Sequence, residues 1–218
     1  MVSNRLKSIS SLINNGEDII DIGCDHGLLD IYLTLNKNCC CRCCDVNSGI
    51  VSRAFSNIKK YNLEDKIDVF VGNGFNNLNL GFNTVMVLAG MGTSTILKIL
   101  DNNRTHDIIC QTNTDLYLLR KSVCDMGYYI VSEDLVFDNN RYYVSIRFSV
   151  GRSSYNYDEL LLGPCLLKNK NSLFNSYVDN MYRKIIKGYN KSIEFNSDSF
   201  SELDLMINCL EKYKSQSV

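Results

Sequence analysis

Residues 18–33 read DIIDIGCDHGLLDIYL, and this stretch decides the fold. An apolar run, Ile19-Ile20-Asp21-Ile22, stops at Gly23; Cys24, Asp25 and His26 follow, then Gly27 and an amphipathic segment. The pattern is a strand that ends on a glycine turn and feeds a helix. Glycine there lets the chain turn and lets a ligand approach the backbone closely. The helix start behind it offers free N–H groups at the positive end of its dipole. A dinucleotide site places a pyrophosphate at that end through G-x-G-x-x-G. Here the spacing is G-C-D-H-G, Leu28 stands at the third glycine position, and the loop carries an acid that repels a pyrophosphate. An acid-bearing loop suits S-adenosylmethionine instead, which has an ammonium at its aminoacyl end and a sulfonium sulfur. A plain strand-to-helix turn is the simpler alternative, since glycine loops alone are weak signals.

The segments around this loop alternate in type. Residues 4–14 read as a short helix with Leu6, Ile9 and Ile13 on one face, ended by Asn14-Asn15-Gly16. Strands are expected at 19–23, 39–46, 67–71, 84–88 and 107–111, and helices at 28–35, 48–61, 94–100 and 115–126. On the 48–61 helix, Val51, Ala54, Phe55 and Ile58 share a side. The strictly apolar 84–88 run suits a strand buried on both faces of a parallel sheet. Two longer β segments, 128–137 and 141–150, flank Asp138-Asn139-Asn140, a hairpin signal. Alternating strands and helices closed by a hairpin predict an α/β fold: a class I, Rossmann-like methyltransferase domain whose mostly parallel sheet ends in an antiparallel strand. A nicotinamide-dinucleotide domain usually lacks that hairpin. After Pro164 the texture changes. Apolar positions from Leu166 to Ile186 predict one long helix over 165–190, and 200–213 a second, separated by a polar break at 195–199. Together they form a C-terminal helical hairpin. The expected division is a methyltransferase domain over 1–160 and a helical, coiled-coil-like extension over 161–218.

Candidate site residues fall at the strand ends. Asp21, Gly23, Cys24 and Gly27 belong to the first loop. Asp45 ends the second strand about 20 residues on, where an acid can accept hydrogen bonds from ribose hydroxyls; Val46 follows it. A solvated surface aspartate is the alternative. Gly72-Asn73-Gly74 ends the third strand, where the Asn73 side chain could read an adenine edge, or where the stretch is simply an Asn-Gly turn. Ala89-Gly90-Met91-Gly92 ends the fourth strand in place of the N/D-P-P-Y/F motif common in amino-methyltransferases. Small residues there suggest backbone contact with a flat substrate, with Met91 packing on a ring.

Composition bounds the function. The chain has 218 residues, 45% hydrophobic and 22% charged, with a net charge of −1. Such a balance gives no global field for nucleic acid but leaves room for a local basic face. No stretch reads as a secretion signal or a membrane span, so a cytoplasmic protein is expected, with its ten cysteines reduced. The run CCCRCC at 39–44 is tempting as a metal site. On a strand, however, consecutive cysteines face opposite ways, so only Cys39, Cys41 and Cys43, or Cys40 and Cys44, could share a face, and no second C-x-x-C pair completes a zinc set. Buried thiols acting as small hydrophobes are expected, and no metal. His106 reads as a surface loop residue. Lys168, Lys170, Arg183, Lys184, Lys187 and Lys191 populate the C-terminal helices, and Lys184, Lys187 and Lys191 share a helix face. That face is either a solvated surface or a strip that contacts phosphates.

At this point the residues resemble a known family. DIGCDHGLLDIYL is similar to the D-I-G-S-D-H-A-Y-L-P-x-Y pattern of the bacterial tRNA (adenine(22)-N1)-methyltransferases. NLEDKIDVFVGNGF, VMVLAGMGTSTILKIL, DIICQTNTDLYLLRKSVCDMGYYIVSEDLVFDNNRYYVSIRF and LLLGPCLLKNKNSLFNSYV follow in the family's order and spacing, from Arg5 to about Tyr189. The resemblance implies a Rossmann-like domain with a C-terminal helical extension, acting on a tRNA partner; a monomer is expected. The activity it implies is methyl transfer from S-adenosylmethionine to N1 of adenosine 22 in the D-loop region. Asp21, Gly23, Asp25, His26, Gly90, Met91 and Gly92 match the family pattern, Asp45 stands for a glutamate, and Asn73 for Asp or Asn. The departures are Gly27-Leu28 for Ala-Tyr, Asp30 for proline, Thr93 for the second glycine of A-G-M-G-G, and Gln111-Thr112-Asn113 for Q-P-N. A methyltransferase for another substrate, or a non-catalytic RNA-binding module on the same fold, are the alternatives.

For such a reaction Asp25 is the candidate catalytic group. Adenine N1 has a free lone pair, so no proton must leave before attack; placement about 3 Å from the methyl carbon is what matters. The ring turns cationic as it reacts, and a nearby carboxylate stabilises that charge or accepts an N6 proton. Cofactor binding alone is the rival role for Asp25. His26 is expected to orient it or the substrate.

Overall fold

The computed structural model describes residues 2–72, 83–100, 106–194 and 200–214, without the side chains of 189–194 and 200–201. Two compact units divide the chain, 1–154 and 155–218.

In the first unit, seven strands form one sheet in the order β3-β2-β1-β4-β5-β7-β6. They are β1 (Asp18–Ile22), β2 (Cys40–Asp45), β3 (Ile67–Val71), β4 (Thr84–Met91), β5 (Ile108–Thr112), β6 (Tyr128–Asp138) and β7 (Arg141–Val150). β1 to β5 pair in parallel. β7 runs antiparallel between β5 and β6, so the hairpin closes one edge as the Asp138-Asn139-Asn140 signal required. Asn139 and Asn140 both take left-handed backbone there (φ 47° and 60°). β4 is apolar on both faces because helices cover both: Val85 to Leu88 are all buried.

The helices are α1 (Asn4–Ser11), α2 (Leu28–Lys37), α3 (Ser48–Lys60), α4 (Thr93–Leu100) and α5 (Leu116–Asp125). Helix α1 stops at Ser11, short of the expected residue 14, yet Ile9 and Ile13 are both buried in the core, with Leu6 packed against it. On α3, Ala54 and Ile58 face the sheet, whereas Phe55 is exposed; one residue is a 100° step on a helix, which carries Phe55 off that face. His106 lies in a bend before β5 and is half-buried. Across the far end of the sheet, Arg147 on β7 bonds Glu17 (2.8 Å) and Asp107 (2.9 Å), tying the approaches to β1 and β5 together. Between α5 and β6, the fully buried Arg120 and Glu133 pair at 2.8 Å.

The second unit corrects one expectation. The helix expected over 165–190 is broken into α7 (Pro164–Lys168) and α8 (Ser172–Glu194), and an unforeseen α6 (Tyr157–Leu162) precedes them. The break falls at Asn169-Lys170-Asn171, because the Asn171 side chain caps the new helix by accepting the Phe174 N–H at 2.9 Å. Helix α6 starts on a capping box of Asn156 and Glu159, a signature that was legible in the sequence. Helix α8 packs on α9 (Phe200–Lys214), with Phe174, Tyr177, Val178, Cys209 and Leu210 buried. The polar break at 195–199 lies outside the described residues.

Candidate active site

The strand order reverses between β1 and β4, the place where an open parallel sheet leaves a crevice beyond its strand ends. Two adjoining clefts occupy it. The larger, about 440 Å³, is lined by Ile22, Asp45, Val46, Gly72, Met91 and Thr95 among others. The smaller, about 140 Å³, is lined by Asp21, Cys24, His26 and Leu29 among others. Arg5, Gly23, Asp25 and Ala89 line both.

The first loop is held by backbone bonds. Gly23 and Cys24 donate to the Cys44 carbonyl (2.8 and 3.1 Å), and Gly27 donates to Cys24 (2.9 Å). Gly27 caps α2 with left-handed backbone and no side-chain bond, so the first N–H groups of that helix are left for water or a ligand. A Cβ on Gly27 would meet Ala54 of α3 at 3.4 Å, so glycine there also permits close helix packing. Gly23 (φ 79°) and Gly90 (φ 77°) are left-handed as well, and a Cβ on Gly23 would come within 2.6 Å of the Met91 methyl. Gly90 sits at a register shift between β4 and β5; Asn113 donates its amide to the Gly90 carbonyl at 2.6 Å and its backbone N–H to Met91 at 2.9 Å.

Asp25 takes left-handed backbone (φ 51°), and its side chain is 74% exposed, with Oδ1 3.4 Å from His26 Nε2. Asn57 on α3 donates to the His26 carbonyl at 3.1 Å, fixing the loop. Asp45 Oδ1 accepts the Asn47 N–H at 2.9 Å, and Asn47 in turn caps α3. Val46, at the cleft mouth, is exposed. Gly72 donates to the Asp45 carbonyl at 3.0 Å. Asn73 and Gly74 lie outside the described residues.

Beneath the loop, Asp21 and Asp30 are buried carboxyls. Burial first, then repulsion from Asp30, pushes Asp21 well above the usual carboxylate range, while Arg5 draws it down. Burial pushes Asp30 up to about 7, and both of its carboxyl oxygens are buried without a hydrogen-bond partner. Cys39, Cys41 and Cys43 face one side of β2 and join the core; Cys44 is buried on the other side, and Cys40 is exposed. Contact with the Cys24 thiol and burial push the Cys43 thiol up, and burial does the same for Cys41. Thiols held protonated in this way behave as small hydrophobes. Among the described residues no group of three or more metal-binding side chains is gathered. No helix among them is long and apolar enough to cross a membrane.

The residues present fit an S-adenosylmethionine-type ligand. Acidic side chains line the clefts, the glycine walls leave room for close approach, and the 440 Å³ cleft is of ordinary ligand size.

Residues 2–146 match the model of a methyltransferase domain. Over 188 residues the chain is 31% identical to a putative tRNA methyltransferase, MG248, of Mycoplasma genitalium, covering 81% of this chain and 84% of the relative. It is 26% identical to the tRNA (adenine(22)-N(1))-methyltransferase of Bacillus subtilis over 185 residues, 79% of this chain and 78% of that one. The structure of M. capricolum TrmK in complex with S-adenosyl-homocysteine superposes with a TM-score of 0.86 at 30% identity, covering 99% of this chain and 98% of that one. The chain belongs to the tRNA (adenine(22)-N1)-methyltransferase family.

Within this methyltransferase, the structure brings Asp21, Gly23, Cys24, Asp25, His26, Asp45, Val46, Gly72, Ala89, Gly90 and Met91 to the lining of the two clefts. Gly27 sits behind the loop as a cap, and Gly92 starts the turn into α4, accepting the Thr95 and Ile96 N–H groups (3.0 and 3.1 Å). Two departures from the family pattern compensate one another. The Thr93 and Thr112 hydroxyls lie 2.9 Å apart, and Thr93 also donates to the Asp115 carbonyl at 2.7 Å. Sequence reasoning missed Arg5 as a site residue. Its one signal was that the family resemblance begins there.

Proposed function

We propose that this methyltransferase transfers the methyl group of S-adenosylmethionine to N1 of adenosine 22 in tRNA. In this reading residues 1–160 carry out the transfer, residues 161–218 contact the RNA, and the chain acts as a monomer in the cytoplasm. One observation carries the proposal: three carboxylates, Asp21, Asp25 and Asp45, stand around glycine-walled clefts at the sheet's switch point in a chain of this family. When bound, S-adenosylmethionine supplies an electrophilic methyl group on a sulfonium sulfur. Asp45 accepts ribose hydroxyls, its carboxylate already oriented by the Asn47 N–H. Val46 and Gly72 border the adenosine of the cofactor. Asp25, exposed on a left-handed residue between the clefts, offsets the positive charge that grows on the target adenine and can accept an N6 proton. His26 orients Asp25 through their 3.4 Å contact. Because N1 lies on the Watson–Crick edge, the base must be unpaired or flipped before it can enter.

The test is methylation of an unmodified tRNA transcript, followed by mapping of the modified base. A single 1-methyladenosine at position 22 supports the reading. Modification elsewhere, or binding of cofactor with no methylation of any tRNA, overturns it.

A further inference from the structure

Arg5, in the first turn of α1, lines both clefts, yet no motif pointed to it. Its backbone N–H donates to Asp138 Oδ2 at 3.1 Å, and its guanidinium stands 5.7 Å from the Tyr143 ring centroid. These contacts pin α1 to the β6–β7 hairpin and hold the guanidinium at the cleft wall. Among the described residues no carboxylate lies within ion-pair distance of that guanidinium. Its Nε is buried with no hydrogen-bond partner. A buried donor left unpaired is costly, and a guanidinium at a cleft wall without an ion-pair partner is free to take an anion from a ligand. Gly90 makes the room: a Cβ there would lie 2.8 Å from Arg5 Nη2.

The small cleft thus has a cation on one wall and the buried Asp21 carboxyl on another. A guanidinium and a carboxyl that an ammonium can ionise, set in one cavity of about 140 Å³, complement a zwitterion. They do not complement a phosphate, which gains no partner in Asp21 and is repelled by Asp25. We infer that Arg5 anchors the carboxylate of the amino-acid end of S-adenosylmethionine, with Asp21 facing the ammonium of the same end. The inference rests on the cofactor reading above. A guanidinium–carboxylate pair forms charge-assisted, often bidentate bonds, so its loss should be felt in affinity. Burial and Asp30 disfavour the ionised form of Asp21, and an arriving ammonium favours it.

The experiment is calorimetric titration of wild type, Arg5→Gln and Arg5→Lys with three ligands: S-adenosylmethionine, its decarboxylated analogue, and 5′-methylthioadenosine, which lacks the amino-acid end altogether. Wild type should bind S-adenosylmethionine at least tenfold more tightly than the decarboxylated analogue. Arg5→Gln should lose that preference while binding 5′-methylthioadenosine within twofold of wild type, and Arg5→Lys should recover part of it. The wild-type comparison needs no variant to fold. Equal wild-type affinity for the first two ligands overturns the inference, as does an Arg5→Gln protein that keeps the preference or weakens all three ligands alike. Unchanged cofactor affinity with weakened tRNA binding overturns it in favour of an RNA phosphate. Wild type that binds none of the three ligands instead defeats the cofactor reading, and this inference with it.

Discussion

Asp25 and Asp30 show how differently two carboxylates can be used within six residues. Asp25 is solvated, and the role proposed for it rests on its charge. Asp25→Asn keeps shape and most hydrogen bonding, so the fold and cofactor affinity should change little. Single-turnover methylation of tRNA at saturating cofactor should fall about 10²–10³-fold, the usual cost of losing one preorganised electrostatic contact. Near wild-type turnover at saturation would reduce Asp25 to a binding residue. Asp30 is buried with its carboxyl oxygens unpartnered, where the family pattern carries proline. An acid whose pKa rises on folding binds more protons folded than unfolded, so stability falls as pH climbs between the two values. For Asp30 that window runs from the ordinary 3.8 to about 7. The full shift corresponds to on the order of 4 kcal/mol above it. Asp30→Asn removes the ionisation. Its melting temperature relative to wild type should therefore be clearly higher at pH 8 than at pH 5; a pH-independent difference would contradict this account.

At the scale of elements, the loops after β4 and β5 are joined by hydroxyls where the family pattern uses a glycine and a proline. Thr93 is buried, its hydroxyl bonded to Thr112 and the Asp115 carbonyl, and Asn113 ties the same loops through Gly90. A proline restricts a turn through its ring; here hydrogen bonds supply the restriction. Thr93→Val and Thr112→Val should each destabilise by about 1 kcal/mol. Because each removes the same bond, the double mutant should cost less than the sum, with a coupling of about 0.5–1 kcal/mol in denaturant titrations. Strict additivity would mean that the loops are held elsewhere. The α5–β6 ion pair makes a second case. Glu133→Ala leaves Arg120 as a buried charge, which should cost about 3–5 kcal/mol in the same titrations. A loss below about 1 kcal/mol would show that the pair is dispensable.

For the whole molecule, a net charge of −1 means that RNA must be met by a local surface. In the second unit Arg183, Lys187 and Lys214 gather with Tyr182 around a cleft of about 520 Å³, and Lys214 lies 4.3 Å above the Tyr182 ring. The strip expected from spacing was Lys184, Lys187 and Lys191. Lys184 is exposed but is not part of this cleft, and the side chain of Lys191 lies outside the described residues. If this surface contacts phosphates, Arg183→Ala and Lys187→Ala should each weaken tRNA binding and lower the slope of log affinity against log salt by about 1. Measured between 50 and 200 mM salt, an unchanged slope would make the cleft an ordinary solvated face.

The order of elements, the parallel core and the loop at Gly23 were determined by the sequence alone, because local periodicity and glycine placement carry them. The strand at 84–88 had to be central since no polar face existed for water, and the hairpin at 138–140 had to close the sheet. The capping asparagine at 171 and the capping box at 156–159 were also written locally, and were passed over because apolar spacing continued across them. What only the tertiary structure decided are meetings between distant residues. Asp21 and Asp30 are separated by a loop and become neighbours through burial; Thr93 finds Thr112 across two strands. Arg5 reaches the clefts because α1 docks on the β6–β7 hairpin through Asp138, 133 residues away. Periodicity records which face of an element is apolar, not which partner that face will meet, so a lone arginine on a short helix carries no signal until the sheet has brought a glycine and a buried acid beside it.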